Sequence, residues 1–281
     1  MQFLDLTLPT LAENLALDEA LLEHADSTSS TSEPSLASLP VSSGAPSSTA
    51  TATVPSGGGE TLRVWQAASP CVVLGRSSRV ADEVDQVVAA REGIPIFRRV
   101  SGGATVIAGP GCLFYALILS LEQRPELRML DQAHHCVMSR MQTALCDQLP
   151  DLISDGTCDL VLKQKKISGN SVRVGREWML YHGTLLLNMD LSYVDRLLKH
   201  PPREPEYRRG RSHLDFIDNC YLAAPAVIEA WRLAWKAVAP APNIPAANNS
   251  AANSPSANIP GALVERLVRE KYSQASWNLQ R

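Results

Sequence analysis

Aromatic residues are scarce in this chain, 5% of 281 residues, and long apolar stretches are missing. The longest uninterrupted apolar run is the octet from Cys112 to Leu119, against the ~20 residues that a membrane span requires. An excess of charge of one sign is lacking too. With 26 basic and 29 acidic residues the net charge is −3, so the overall basic field of a nucleic-acid coat or a polybasic membrane binder is absent. The six cysteines (71, 112, 136, 146, 158 and 220) form no Cys-x-x-Cys pair and no disulfide-framework spacing, which predicts reduced thiols. The first 19 residues carry four acids and neither Lys nor Arg, unlike a secretory signal. A cytoplasmic protein without nucleic-acid or membrane partners is expected. No Gly-Lys-Ser/Thr phosphate loop and no dinucleotide fingerprint occur.

Two tracts stand apart in composition. Residues 27–60 are almost entirely Ser, Thr, Pro, Ala and Gly, and residues 239–260 almost entirely Ala, Pro, Asn and Ser. Lacking aromatics and nearly all charge, they cannot bury enough apolar surface to offset the entropy of ordering and are expected to be disordered inserts. Lengthening a loop from ~5 to ~34 residues costs under ~2 kcal/mol, so one domain spanning 1–281 can absorb both.

Outside the tracts, hydrophobic spacing predicts helices over residues 12–25, 82–91, 131–149 and 263–272. Short apolar runs bounded by turn residues predict strands over 61–66, 71–75, 158–163, 171–174 and 178–188, with Gly169 and Gly175 as turn points. Residues 101–120 read as a turn, a strand, a second turn and a buried strand. Without a regular βαβ rhythm, the fold class is α/β in the α+β sense, with a mixed or antiparallel central sheet and flanking helices.

Three segments can carry chemistry. Arg98-Arg99-Val100-Ser101-Gly102-Gly103-Ala104-Thr105-Val106 places two guanidiniums beside a small-residue turn, a setting for a phosphate or carboxylate or simply for a solvated hairpin. In residues 159–171, Lys163, Lys165 and Lys166 lie beside Ser168-Gly169-Asn170. If that strand is unbroken, Lys166 shares a face with Leu160 and Leu162 and needs an anionic partner. Tyr181-His182-Gly183-Thr184 precedes an apolar strand, where His182 reads as a base or as a satisfied structural residue. His134-His135-Cys136 lacks a second ligand pair at zinc-finger spacing.

Read in order, NLALDEALL (residues 14–22), Leu74-Gly75-Arg76, residues 98–106, residues 159–170 and residues 182–188 resemble the lipoate–protein ligase family of the biotin/lipoate ligase superfamily. The combination of RR-x-SGG with K-I-S-G-N and H-G-T-L-L carries the resemblance. It implies a ligase-like catalytic domain with a mixed sheet. It also implies ATP-dependent activation of lipoate, with Mg²⁺, to an acyl-adenylate, and transfer to a lysine of a lipoyl domain. The implied acceptors are 2-oxoacid dehydrogenase subunits or the glycine-cleavage H protein. On this chain it assigns Lys166 as the essential lysine. Arg99, Gly102, Gly103, Ala104, Thr105, Val106 and Ile107 become the lipoate and nucleotide loop, Asp159 an acid beside the nucleotide and Mg²⁺, and His182 and Gly183 the strand backing the pocket.

Ala104 replaces the family's third loop glycine, and Ala108 stands where many members have histidine. No accessory C-terminal domain is expected, and a separate accessory subunit joins the expected partners. The superfamily also holds octanoyl and lipoyl transferases that use a cysteine thioester and no ATP, for which Cys158 and Cys112 are the candidates. A catalytically silent homologue that binds an acyl chain or carrier domain is the third reading.

Overall fold

The computed structural model describes residues 1–29, 59–239 and 259–280. Most of both low-complexity tracts, and with it the expectation of disorder there, lies outside the described residues.

Strand β1 (Gln2–Asp5) leads into helix α1 (Leu11–Ser29). The helix starts on a reciprocal cap, in which Glu13 N donates to Thr10 Oγ1 at 3.2 Å and Thr10 N donates to Glu13 Oε2 at 2.8 Å. It continues beyond the expected end at Ala25, where the Ser27 and Thr28 hydroxyls donate back to His24 O, at 2.9 and 3.0 Å. There follow β2 (Thr61–Gln66), β3 (Cys71–Leu74), α2 (Val80–Glu83), α3 (Gln86–Arg91), β4 (Ile96–Arg98), β5 (Val106–Ala108) and β6 (Cys112–Ser120). The helix expected over 82–91 is broken, because Asp85 is extended and caps α3 through Val87 N and Val88 N. The chain continues through α4 (Leu130–Leu145), β7 (Ile153–Asp155), β8 (Asp159–Leu162), β9 (Lys165–Val174), β10 (Trp178–Leu186), α5 (Ser192–Leu197), α6 (His213–Phe216), α7 (Ala224–Ala234), α8 (Gly261–Leu267) and α9 (Ala275–Asn278).

Seven strands form one mixed sheet in the order β1-β2-β6-β10-β9-β8-β7, and β4-β3-β5 form a second, smaller one. In the large sheet only β1–β2 is parallel; the other pairs are antiparallel. Every residue of β6 is buried, because both faces of the sheet are covered. Phe114, Ala116 and Ile118 join the layer built by α1, α8 and β3, while Leu113, Tyr115, Leu117 and Leu119 join the layer built by α4 and α7. The strand's alternation thus divides one continuous apolar run between two cores.

The β8–β9 region departs from expectation. Gly169 is no turn: it lies within β9, paired with both Asp159 and Thr184. The chain reverses instead at Lys163 and Gln164, with φ of 48° and 65°, a two-residue hairpin of the kind that matches strand twist. Beyond it, Lys166 pairs with Val161 and Ser168 with Leu160, so Ile167 is an extra residue in β9. Turn and bulge together void the inference that Lys166 shares a face with Leu160 and Leu162. Such a bulge redirects neighbouring side chains.

Candidate active site

The small sheet delivers the segment between β4 and β5 to the face of β9 and β10, and two adjoining cavities open there. They share Ala104, Thr105, Val106, Lys166, Gly169 and Thr184. The first is largely apolar, walled by Leu15, Val73 and the stacked rings of Trp65 and Phe114, whose centroids are 4.1 Å apart. The second has apolar walls too, among them Ile107, Leu186, Val194 and Phe216, and adds the basic side chains of Lys199, Arg203, Arg208 and His213. An elongated molecule with an apolar tail and an anionic head fits the pair.

The two arginines of the glycine segment have separate tasks. Arg98, fully buried, donates to the carbonyls of Gly75, Arg76, Ser78, Trp277, Asn278 and Gln280. It ties β4 to α9 and does not line either cavity. Arg99 lines the apolar cavity and braces the loop, donating to Val73 O at 3.2 Å, Ser101 Oγ at 3.2 Å, Ala104 O at 3.0 Å and, in a short contact, Gly102 O. Burial pulls its pKa down to about 10, with Glu83 opposing, so the guanidinium stays charged at neutral pH. Gly103 has φ +85°, a conformation that favours glycine. Thr105 is pinned by Glu83, whose Oε2 accepts from Thr105 N at 2.9 Å and Thr105 Oγ1 at 2.7 Å.

Lys166 stands where the cavities meet. Its Nζ lies 2.8 Å from Asp159 Oδ1, and Tyr207 donates to Asp159 Oδ2 at 2.7 Å. The lysine thus has the anionic partner that burial demands, by a route other than strand parity. Gly169 is the seat for this side chain, since a Cβ there would lie 2.9 Å from Lys166 Cε and Nζ. Gly169→Ala is expected to displace the ammonium while costing less than ~1 kcal/mol of stability, because a flexible side-chain tip yields readily. Denaturant unfolding and a turnover assay check this: an unchanged midpoint with a rate down ~10-fold is expected, and an unchanged rate would show that the placement of Lys166 is unimportant. Asn170 clamps the neighbouring strands, accepting from Tyr115 Oη at 2.6 Å and donating to Cys158 O at 2.6 Å. Gly183 faces it, where a Cβ would sit 1.8 Å from Asn170 Oδ1.

Of the residues expected from the sequence, Arg99, Gly103, Ala104, Thr105, Val106, Lys166, His182 and Gly183 line the apolar cavity, and Ile107 lines the second. Gly102 and Asp159 do not line either; they act behind the wall through Arg99 and Lys166. Both Asp159 oxygens are taken, and among the described residues no group of three or more His, Cys, Asp or Glu could hold a metal. The described residues therefore build no dedicated Mg²⁺ cage, and Asp159 could hold the ion only together with the nucleotide phosphates.

The thiols are poorly placed for nucleophilic work. Cys158 donates to Asn170 O at 3.1 Å, and burial, with Asp159 adding to it, pushes its pKa up to about 11. Cys112 is buried and its thiol is also pushed up by burial.

Sequence reasoning missed Asp18, Arg63, Glu83, Ser101 and Tyr207. Arg63 was signalled by an isolated charge within TLRVWQ, a strand with five of its six residues buried. It is fully buried itself, with Nη1 2.5 Å from Asp18 Oδ1 and further donation to Leu6 O and Asn14. Among the described residues, no helix is long and apolar enough to cross a membrane.

The chain is similar to known proteins to different extents. Lipoyl amidotransferase LIPT1, mitochondrial, of Homo sapiens is 32% identical over 143 residues, 50% of this chain and 36% of that protein. Lipoate–protein ligase 1 of Staphylococcus aureus is 24% identical over 212 residues, 74% of this chain and 61% of that protein. The matches thus span less than two thirds of these relatives. A structure of a bipartite lipoate protein ligase and its E2 lipoyl domain from Thermoplasma acidophilum superposes with a TM-score of 0.66 at 19% identity, covering 100% of this chain and 97% of that one. Lipoate-protein ligase A bound with ATP gives 0.65 at 18% identity, covering 99% and 98%. These structures establish a common fold. Residues 10–217 match the family described as the lipoyl protein ligase A/B catalytic domain, and since that span runs from just before α1 to Ile217, the last residue lining the cavities, the chain belongs to that family.

Proposed function

We propose that this chain is an ATP-dependent lipoate–protein ligase. It would join lipoate, or a related acyl acid, to AMP and pass the acyl group to a lysine of a lipoyl domain, as found in 2-oxoacid dehydrogenase subunits or the glycine-cleavage H protein. The observation that carries this reading is Lys166 at the junction of an apolar and a basic-rimmed cavity. The acyl chain occupies the chamber with Trp65 and Phe114, and the nucleotide phosphates face Lys199, Arg203 and Arg208. Attack of the carboxylate on the α-phosphate concentrates negative charge where the two meet. A fixed ammonium there stabilises that charge without proton transfer, and Asp159 keeps it fixed. In the second half-reaction the acceptor amine attacks the acyl carbonyl, AMP leaves, and Lys166 holds the developing oxyanion. Mg²⁺ enters with the nucleotide, as part of the substrate.

The raised pKa of both thiols, with Cys112 buried and Cys158 held by Asn170 O, disfavours the thioester route. The test is lipoate-dependent exchange of pyrophosphate into ATP with Mg²⁺ present. The wild type is expected to exchange, Lys166→Ala to lose at least ~100-fold, and Cys158→Ala and Cys112→Ala to stay active. Absence of exchange, together with a hydroxylamine-labile acyl group that disappears in one cysteine variant, would move the assignment to a thioester transferase. Absence of both would leave a binding role.

A further inference from the structure

Along the wall of the apolar cavity runs a buried chain of polar groups from α1 to the glycine loop. Arg63, Asp18, His182, Ser101 and Arg99 are each less than 9% exposed. Arg63 Nη1 meets Asp18 Oδ1 at 2.5 Å, Asp18 Oδ2 faces His182 Nδ1 at 3.6 Å, and His182 Nε2 lies 2.5 Å from Ser101 Oγ. Arg99 Nε then reaches Ser101 Oγ at 3.2 Å.

The direction of each hydrogen bond follows from chemistry. A guanidinium can only donate, so Ser101 Oγ accepts from Arg99. The hydroxyl proton then needs an acceptor, and among the described residues His182 Nε2 is the one in contact with it. A bare Nε2 leaves the ring proton on Nδ1, on the side that faces the Asp18 carboxylate. Arg63 in turn holds that carboxylate ionised from the other side.

Resemblance to a serine–histidine–aspartate triad invites a nucleophilic reading. The cavity contradicts it: Asp18, His182 and Arg99 line the apolar chamber, but Ser101 does not. What Ser101 does is hold the Nε arm of Arg99, whose other arms grip Val73, Gly102 and Ala104.

We propose that Asp18, backed by Arg63, is a positioning residue for adenylation: it fixes His182 in the Nδ1–H tautomer, and through Ser101 and Arg99 that tautomer sets the glycine loop against Lys166. The effect on turnover rests on the ligase reading above; the tautomer does not.

The experiment is nitrogen NMR of the full chain with ¹⁵N-labelled histidine, the His182 signals being identified by their loss in His182→Gln, run beside pyrophosphate exchange. In the wild type, Nδ1 is expected to carry the proton and Nε2 to be bare. Asp18→Asn can present an amide N–H to Nδ1 and is expected to shift the proton to Nε2. Its exchange should fall ~100-fold in kcat, with KM for lipoate within about threefold, as a misplaced loop would produce. Ser101→Ala should keep the wild-type tautomer and lose activity similarly, and it decides the matter if Asp18→Asn does not fold. Protonated Nε2 in the wild type would overturn the proposal, as would a folded Asp18→Asn with unaltered tautomer and rate. An acyl group trapped on Ser101 by mass spectrometry would also overturn it, by making Ser101 a nucleophile. If the wild type gives no exchange, the ligase reading fails while the tautomer measurement still decides for or against the relay.

Discussion

Gly75→Ala is expected to leave a folded protein with at least ~100-fold less activity. A Cβ at this position would stand 1.9 Å from Gly103 O and 3.0 Å from Gly103 C. Neither atom belongs to a flexible side chain, so the backbone of the glycine loop must move. It cannot move alone. Gly75 O accepts from Arg98 at 2.8 Å, Arg76 N donates to Ser101 O at 2.8 Å, and Ser78 lies 3.2 Å from the same Cβ position. The displacement therefore reaches both arginines and the wall shared by the two cavities. Overpacking of this kind costs about 1–3 kcal/mol, which a chain of this size tolerates. Circular dichroism should be native while pyrophosphate exchange is nearly lost. Gly261→Ala, where nothing lies within 4 Å of the new Cβ, is the matched control and should retain full activity. An active Gly75→Ala would mean that the loop can be displaced without consequence.

The second large effect is expected from Arg63→Met. The substitution keeps much of the side-chain volume but leaves the Asp18 carboxylate buried beside Asn14 without its cation. Breaking a buried pair in this way costs about 3–5 kcal/mol. The pH dependence identifies the cause. In the wild type, burial acts against the Asp18 carboxylate, yet Arg63 and His182 hold its pKa below the ordinary value. The pair's contribution is therefore present above the ordinary carboxylate range and fades as pH falls toward the lowered pKa. In Arg63→Met burial is less opposed, and the carboxyl pKa must rise above the unfolded value of ~3.9. Protonation then relieves the penalty, so the stability gap between wild type and variant should be widest at neutral pH and narrow toward about pH 4. Urea midpoints at a series of pH values would show it. A gap independent of pH would assign the loss to packing.

Much of the scaffold can be read from residue order, because one physical cause dominates each segment. The apolar run of β6 has to be buried, and Asp159 and Lys166 bracket a hairpin within a single stretch of chain. Misreadings arise where local composition points the wrong way. Gly169 looks like a turn, and its actual use, leaving room for Lys166, is a contact rather than a conformation. The real turn at Lys163 and Gln164 has no Gly, Asn or Asp to mark it. The long-range partners around the candidate site are hidden for another reason. Asp18 and Arg63 are 45 residues apart with a low-complexity tract between them, Glu83 and Thr105 meet across 22, and Tyr207 reaches Asp159 across 48. No periodicity links such pairs; only the sheet order brings them together.

The Arg98 clamp bears on how the protein is made. Its guanidinium joins Gly75, Arg76 and Ser78 to carbonyls some 180 positions later in the chain, at Trp277, Asn278 and Gln280. During synthesis at roughly 5–20 residues per second, the large sheet can form while α9 is still inside the ribosome. The buried charge on Arg98 then lacks its acceptors at Trp277, Asn278 and Gln280. The glycine loop can reach its working geometry only after α9 has emerged, so that geometry is acquired later than the sheet that supports it.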